Sequence, residues 1–270
     1  LTPVGGERAD LPPLRDALRA WGGPRVVGRL GGGHRNEVVE VAGDDGRRLV
    51  ARRSGRSDAA LDWELDLIER LDGLGFTVPA VVPAPDGRRR VAGVVVQEWL
   101  DGDPPGAGDW AAVAGELRRL HAVTAGWPQR PGFRSSQELL RYERGGDVDL
   151  TAMPEAAVRA CRDAWQQLAD VPLAVVHGDP GPGNIRVTRD GAIGFLDWDE
   201  ARIDHVDLDL ADLPTAVLSD DRQRRAEAAV HAWEAACGWR AEPDYARGRL
   251  ARLRSDRPEV STSRSPSVPR

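Results

Sequence analysis

Apolar and polar positions along the chain change their period as the linker region is crossed. Between residues 26 and 53 the apolar positions come in short β-like runs, VVGRL (26–30), EVVEVA (37–42) and RRLVARR (47–53), separated by the turn-forming stretches GGGHRN and GDDG. In the third run Leu49 and Ala51 alternate with Val50 and Arg52, so Arg52 is expected to share a face with Val50 while Arg53 points the other way. The period then becomes helical: Leu61, Leu65, Ile68 and Leu71 recur through DAALDWELDLIERLD (58–72). VPAVVPAPDGRRR supplies a short strand and a turn, and VAGVVVQEWL (91–100) reads as a buried strand. DGDPPGAGD follows and is the strongest linker signal in the chain. Beyond it the pattern is mostly helical, over 111–123 and 155–169 and again near 208–218, 221–236 and 243–254. The exceptions are the strand-like LAVV (173–176) and two short strands, 185–187 and 193–196, on either side of TRDG. The pattern predicts an α+β chain with a small strand-rich lobe (1–98) and a larger helical lobe (99–254). The Ser/Pro/Arg-rich tail (255–270) has the composition of a disordered segment.

Composition narrows the class of partner. The chain has 270 residues, 41% of them hydrophobic, enough for a substantial core. No apolar run approaches the length of a membrane span, and the first residues lack the pattern of a signal peptide, so a cytoplasmic location without membrane contact is expected. The net charge of −6 argues against nucleic acid and for small or cationic partners. The two cysteines, Cys161 and Cys237, follow no metal or disulfide spacing, and Cys161 falls on an apolar helical face. The chain contains no lysine, so any chemistry that usually employs one must use arginine.

The stretch HGDPGPGN (177–184) carries the most specific chemistry. It follows LAVV directly, and Gly and Pro hold open a loop between Asp179 and Asn184. An Asp followed after four residues by an Asn has the spacing of a protein-kinase catalytic loop, where the Asp acts as base and the Asn binds the metal. A second short strand ends in FLDWDEA, which presents Asp197. Two strand-ended acidic loops of this kind can converge on one divalent ion.

On VVHGDPGPGNI, GFLDWDEA and LDLADL, with LRRLHAV and VVVQEWLDG upstream, the chain resembles the aminoglycoside phosphotransferase and choline-kinase-like family, over roughly residues 25–254. This resemblance implies a bilobal protein-kinase-like fold and a Mg2+-dependent phosphotransferase moving the γ-phosphate of ATP or GTP to a hydroxyl of a small molecule. Asp179 would be the catalytic base, Asn184 and Asp197 the magnesium ligands, and His177 a brace for the loop. Arg52 would stand where the phosphate-contacting lysine usually is, with Glu64 as its ion-pair partner. Glu64 also has an argument of its own, since it lies on the inward face of the 58–72 helix and a carboxylate there needs a partner. The backbone of Glu98, Trp99 and Leu100 would hydrogen-bond the nucleotide base. Gly31, Gly32, Gly33 and His34 would cover the phosphates. Asp199 would be a structural carboxylate supporting the ligands, with metal, substrate or only solvent as its alternative partners, and Asp209 would cap or brace a helix. The chain departs from the family pattern at Arg52 and in lacking a proline between the DWD and DLA elements.

The acidic segment 197–227 suits a cationic acceptor, and a solvated acidic face explains it nearly as well. Two other functions remain open at this level. A metal-dependent hydrolase would draw ligands from His177, Asp179, Asp197, His205 and Asp207. A non-catalytic nucleotide-binding regulator would not need Asp179, Asn184 and Asp197 intact.

Overall fold

The structure, a computed structural model, describes residues 12–31 and 36–255. The first helix, α1 (Pro12–Leu18), precedes three antiparallel strands, β1 (Arg25–Arg29), β2 (Glu37–Ala42) and β3 (Arg48–Arg53). Helix α2 (Asp58–Gly73) interrupts the sheet, and β4 (Arg90–Val91) and β5 (Val94–Glu98) complete it in the order β1-β2-β3-β5-β4. The sheet has two unlike faces, as the strand period of two demands. Val39, Val41, Leu49, Ala51, Val94 and Val96 pack beneath Leu14, Ala17 and Leu18 of α1. The opposite face, with Val38, Val50, Arg52 and Gln97, borders a cleft.

Helix α1 was not expected from the sequence, because its three core residues are too few to establish a period. The run 91–100 is not one strand. Ala92 and Gly93 adopt left-handed φ values of 49° and 75° and turn the chain between β4 and β5. The strand expected in VPAVVPAP amounts to a single bridge, Val81 to Gln97.

The helical lobe contains α3 (Trp110–Val123), the short pair β6 (Arg144–Gly145) and β7 (Val148–Asp149), and α4 (Glu155–Gln166). Next come β8 (Leu173–Val176), the hairpin of β9 (Ile185–Val187) and β10 (Ile193–Phe195), and β11 (Arg202–His205), which returns antiparallel to β8. Helices α5 (Asp207–Ala211), α6 (Asp220–Gly238) and α7 (Pro243–Ser255) finish the described chain. The helix expected near 208–218 stops at Ala211, just ahead of Pro214, which cannot donate to a continuing helix. One core joins α4, α6 and α7. A second joins Leu67, Ile68 and Leu71 of α2 to Val113 and Leu117 of α3 and to Val175, Ile185 and Phe195. The α2 helix is thus packed on the strands that carry HGDPGPGN and LDWD. No helix among the described residues is long and apolar enough to cross a membrane. Of the tail expected to be disordered, Ser255 ends α7 and residues 256–270 lie outside the described residues.

Candidate active site

The HGD stretch bends sharply because its middle residue has no side chain. Gly178 has φ +90°, and a Cβ there would meet the Glu200 carbonyl oxygen at 2.7 Å. The bend is held from below by Asp209 of α5, which accepts the backbone N–H of His177 (2.8 Å) and of Gly178 (2.9 Å). Asp209 also pairs with His121 Nε2 of α3 at 2.9 Å. Burial alone would raise its pKa, but the His121 contact, the His177 charge and the Gly178 N–H reverse this and hold the carboxyl below its ordinary range. His177 is buried and donates Nε2–H to the Leu196 carbonyl (2.8 Å), tying this loop to the next.

Asp179 emerges at the end of the bend. Asn184 donates its side-chain amide to Asp179 Oδ2 (2.7 Å) and to the Asp179 carbonyl (3.1 Å), which closes the loop between them. The Leu196 N–H donates to the Asn184 carbonyl at 2.7 Å, so the residue before Asp197 is registered against Asn184. Asp197 then takes the left-handed conformation, φ 55°, unusual for a residue with a side chain. Its carboxylate opens on the cleft, and among the described residues no hydrogen bond ties it up. Withdrawal from bulk water pushes its pKa up, against the pull of Arg52, while the neighbouring charges of Asp199 and Glu64 push it further.

Arg52 is buried, and Arg53 is solvent-exposed with a 3.9 Å contact to Glu37. Arg52 Nη2 donates to Glu64 Oε1, and Nη1 donates to Asp199 Oδ1 at 3.1 Å. Asp199 is enclosed rather than solvated, and Arg56 bonds it at 2.8 Å. Burial would raise the Asp199 pKa, but the Arg52 and Arg56 guanidiniums beside it hold it well below the usual carboxylate range. Arg56 also grips Asp147, between β6 and β7, through a two-toothed contact of 2.7 and 2.8 Å. Glu64 has a second partner, Arg130, at 2.7 Å. Three guanidiniums thus face three carboxylates behind the cleft, which satisfies the requirement that buried charges be paired.

The cleft is a cavity of about 320 Å3 whose walls include Arg52, Glu64, Asp179, Asn184 and Asp197, with Gly31 at its edge and Glu98, Trp99 and Leu100 along one side. Gly32, Gly33 and His34 lie outside the described residues. Two of the N–H groups of the 98–100 backbone are engaged within the chain. The N–H of Glu98 donates to the Ala80 carbonyl (2.8 Å) and that of Trp99 to the Arg48 carbonyl (3.2 Å), so both are already used. These bonds arise because 98 and 99 still continue the sheet, with Glu98 opposite Leu49. The hydrolase ligand set does not assemble. His205 Nδ1 bonds the Val171 carbonyl at 2.9 Å, and Asp207 is paired with Arg222 at 2.6 Å. Among the described residues no group of three or more His, Cys, Asp or Glu side chains is placed to hold a metal.

Sequence reasoning missed Arg56, Arg130 and Asp147, which lie in loops without period. Of the roles expected for Asp199, the structural one matches its burial and its pairing with Arg52 and Arg56. Sequence reasoning also missed a second cavity, of about 260 Å3, that shares Asp179 with the cleft and is walled by Gly178, Glu200, Asp212, Trp233 and Glu234. Crowding there raises pKa values. Burial, then Glu234 and Asp179, push Asp212 up to about 7.

Comparison with known proteins extends this geometry. No curated protein sequence matches the chain. Solved structures share its fold at low identity. An aminoglycoside phosphotransferase, a thermostable mutant in a ternary complex with ADP and hygromycin B, is 15% identical with a TM-score of 0.63, over 88% of this chain and 95% of that one. The choline kinase LicA from Streptococcus pneumoniae is 16% identical with a TM-score of 0.58, over 84% of this chain and 91% of that one. The amicoumacin kinase hAmiN, in complex with AMP-PNP, Ca2+ and Ami, is 19% identical with a TM-score of 0.54, over 84% and 79%. The family model for the phosphotransferase enzyme family matches residues 26–251, a span that takes in the sheet, the cleft, the Asp179 loop and the helices beyond it. The chain belongs to the phosphotransferase enzyme family.

Proposed function

We propose that the protein transfers the γ-phosphoryl group of ATP or GTP, with Mg2+, to a hydroxyl of a small molecule that carries a positive charge. The observation behind this reading is the position of Asp179 in the wall between two cavities. On one side are Arg52, Asn184 and Asp197, the residue types that hold nucleotide phosphates and a hard cation. On the other side the walls carry Glu200, Asp212 and Glu234, and the buried indole N–H of Trp233 has no hydrogen-bond partner among the described residues. A base that borders both spaces can accept the acceptor hydroxyl's proton as that oxygen approaches the donor phosphate.

Asp197 and the Asn184 amide oxygen would hold the magnesium. They fit a hard cation because both offer oxygen and the Asp197 carboxylate is hydrogen-bonded to no other side chain among the described residues. When bound, the ion would neutralise charge on the β- and γ-phosphates. Arg52 would contact the phosphates with N–H groups not spent on Glu64 and Asp199, and Leu100 would supply the backbone contact to the base. The ADP, AMP-PNP and antibiotic held by the solved relatives support a nucleotide on one side and a polar acceptor on the other.

The test is a phosphorylation screen over aminoglycosides, macrolides, amino alcohols and sugars, with ATP and GTP in turn, using Asp179→Asn as the inactive control. Transfer to an amine-bearing acceptor by wild type alone is expected. Transfer only to neutral sugars would remove the charge requirement, and equal activity in Asp179→Asn would remove the base.

A further inference from the structure

The loop after α3, residues 127–133 (WPQRPGF), takes no part in the roles above, yet it holds the most enclosed guanidinium near the cleft. Arg130 is 1% exposed and lies behind the wall formed by Arg52, Glu64, Asp197 and Trp198. All three of its nitrogens donate. Nε donates to the Ala60 carbonyl of α2 at 3.2 Å, and Nη2 to Glu64 Oε2 at 2.7 Å. Nη1 reaches the carbonyls of Trp198 (3.0 Å), Asp199 (2.9 Å) and Ala201 (3.2 Å). The first two partners belong to α2. The other three belong to the turn that begins at Asp197.

The loop is fastened by its neighbours to α2 and to β11, the strand that follows the turn. Trp63 of α2 donates its indole N–H to the Pro128 carbonyl at 2.7 Å. Gln129 bonds both backbone groups of Ile203, donating to the carbonyl at 2.9 Å and accepting the N–H at 3.0 Å. The ring of Phe133 lies against the Arg130 guanidinium, 4.7 Å from centroid to carbon, and against that of Arg56 at 5.0 Å. A carboxylate held at one oxygen can pivot. Glu64 is held at both, by Arg52 on one side and Arg130 on the other.

We propose that Arg130 is a positioning residue for phosphoryl transfer: it locks Glu64, and through it Arg52, in register with the turn that presents Asp197. The phosphate anchor and the cleft carboxylate then keep a fixed separation through a residue that touches neither nucleotide nor acceptor. This inference rests on the reading of the cleft as a nucleotide site.

Calorimetry with Mg-ATP and Mg-GTP, paired with steady-state kinetics and thermal midpoints, tests it on wild type, Arg130→Lys, Arg130→Met, Glu64→Gln and the double variant of the last two. Arg130→Lys keeps the charge, but a single ammonium cannot replace a planar fork that spans Glu64 and three carbonyls. It should weaken nucleotide binding and raise the nucleotide KM about tenfold, the scale of one lost charge-assisted bond, with the acceptor KM unchanged. The double variant should bind nucleotide no worse than the weaker single one, because both changes break the same linkage. If Arg130→Lys lowers the melting point but leaves nucleotide affinity and KM at wild-type values, or if the two effects on affinity add, the proposal is overturned and Arg130 is a packing residue. Should Arg130→Met fail to fold, Arg130→Lys alone decides. Wild type that binds neither nucleotide would refute the reading of the cleft and this inference with it, an outcome distinct from wild-type binding with unaffected variants.

Discussion

Adjacent arginines on β3 meet opposite fates because a strand sends successive side chains to opposite faces. Arg52 goes under the sheet to Glu64 and Asp199, and Arg53 goes to solvent. Steady-state kinetics should separate them. Arg52→Ala should raise the nucleotide KM and lower kcat, by tenfold or more if about 1.5–3 kcal/mol of charge-assisted bonding is lost, whereas Arg53→Ala should change neither. Asp179→Asn should retain nucleotide binding and lose about 10²–10⁴-fold in kcat from the missing base. Asp212 gives a pH signature. Its pKa is raised to about 7, so it is mostly neutral below that pH and ionised above it. An acceptor ammonium binds the ionised form better, so the acceptor KM should fall as pH rises through about 7. Asp212→Asn should flatten that part of the profile, and an unchanged profile would place the cation elsewhere.

Among the elements, the short α5 has an influence beyond its size. Its Asp209 supplies the acceptor for two consecutive N–H groups at the HGD bend. Asp209→Ala should cost about 1–3 kcal/mol for each donor left unsatisfied, measured by urea unfolding, and should lower kcat by loosening the Asp179 loop. Because the Asp209 pKa is depressed, its stabilisation is present above the ordinary Asp value and is lost as pH falls through the folded value. Wild type should therefore lose part of its margin over the variant in acid. Strands β2 and β3 and helices α2, α3 and α4 were legible in the sequence because each repeats its period long enough to fix a face. The gathering of Asp179, Asn184 and Asp197 was legible because their spacing is local to two short strands and the loops that end them. Helix α1 was not, being too short to show a period, and neither was the pairing of β8 with β11, which depends on a long-range return. Arg56, Arg130 and Asp147 were invisible for a related reason. A buried charge in a loop is defined by its partners, and those partners lie tens of residues away.

At the scale of the whole molecule, Arg56 bridges the strand-rich lobe to the helical lobe, holding Asp199 and Asp147 at once. Arg56→Met should destabilise the protein by about 1.5–3 kcal/mol, the worth of hydrogen bonds to charged groups. A melting point lower by several degrees, at about 2–4 °C per kcal/mol for chains approaching this size, is the expected reading. An unchanged melting point would mean that the bridge contributes no net stability. The lysine-free composition has its own consequence once Arg52 is seen deep in the cleft. Nucleotide probes that label kinases by acylating a cleft amine will find no side-chain amine to modify. A proteome survey relying on such reagents would score this protein as empty even while nucleotide filled it. Detecting that occupancy requires a readout blind to amines, such as protection of the guanidinium from dicarbonyl reagents or a shift in melting point.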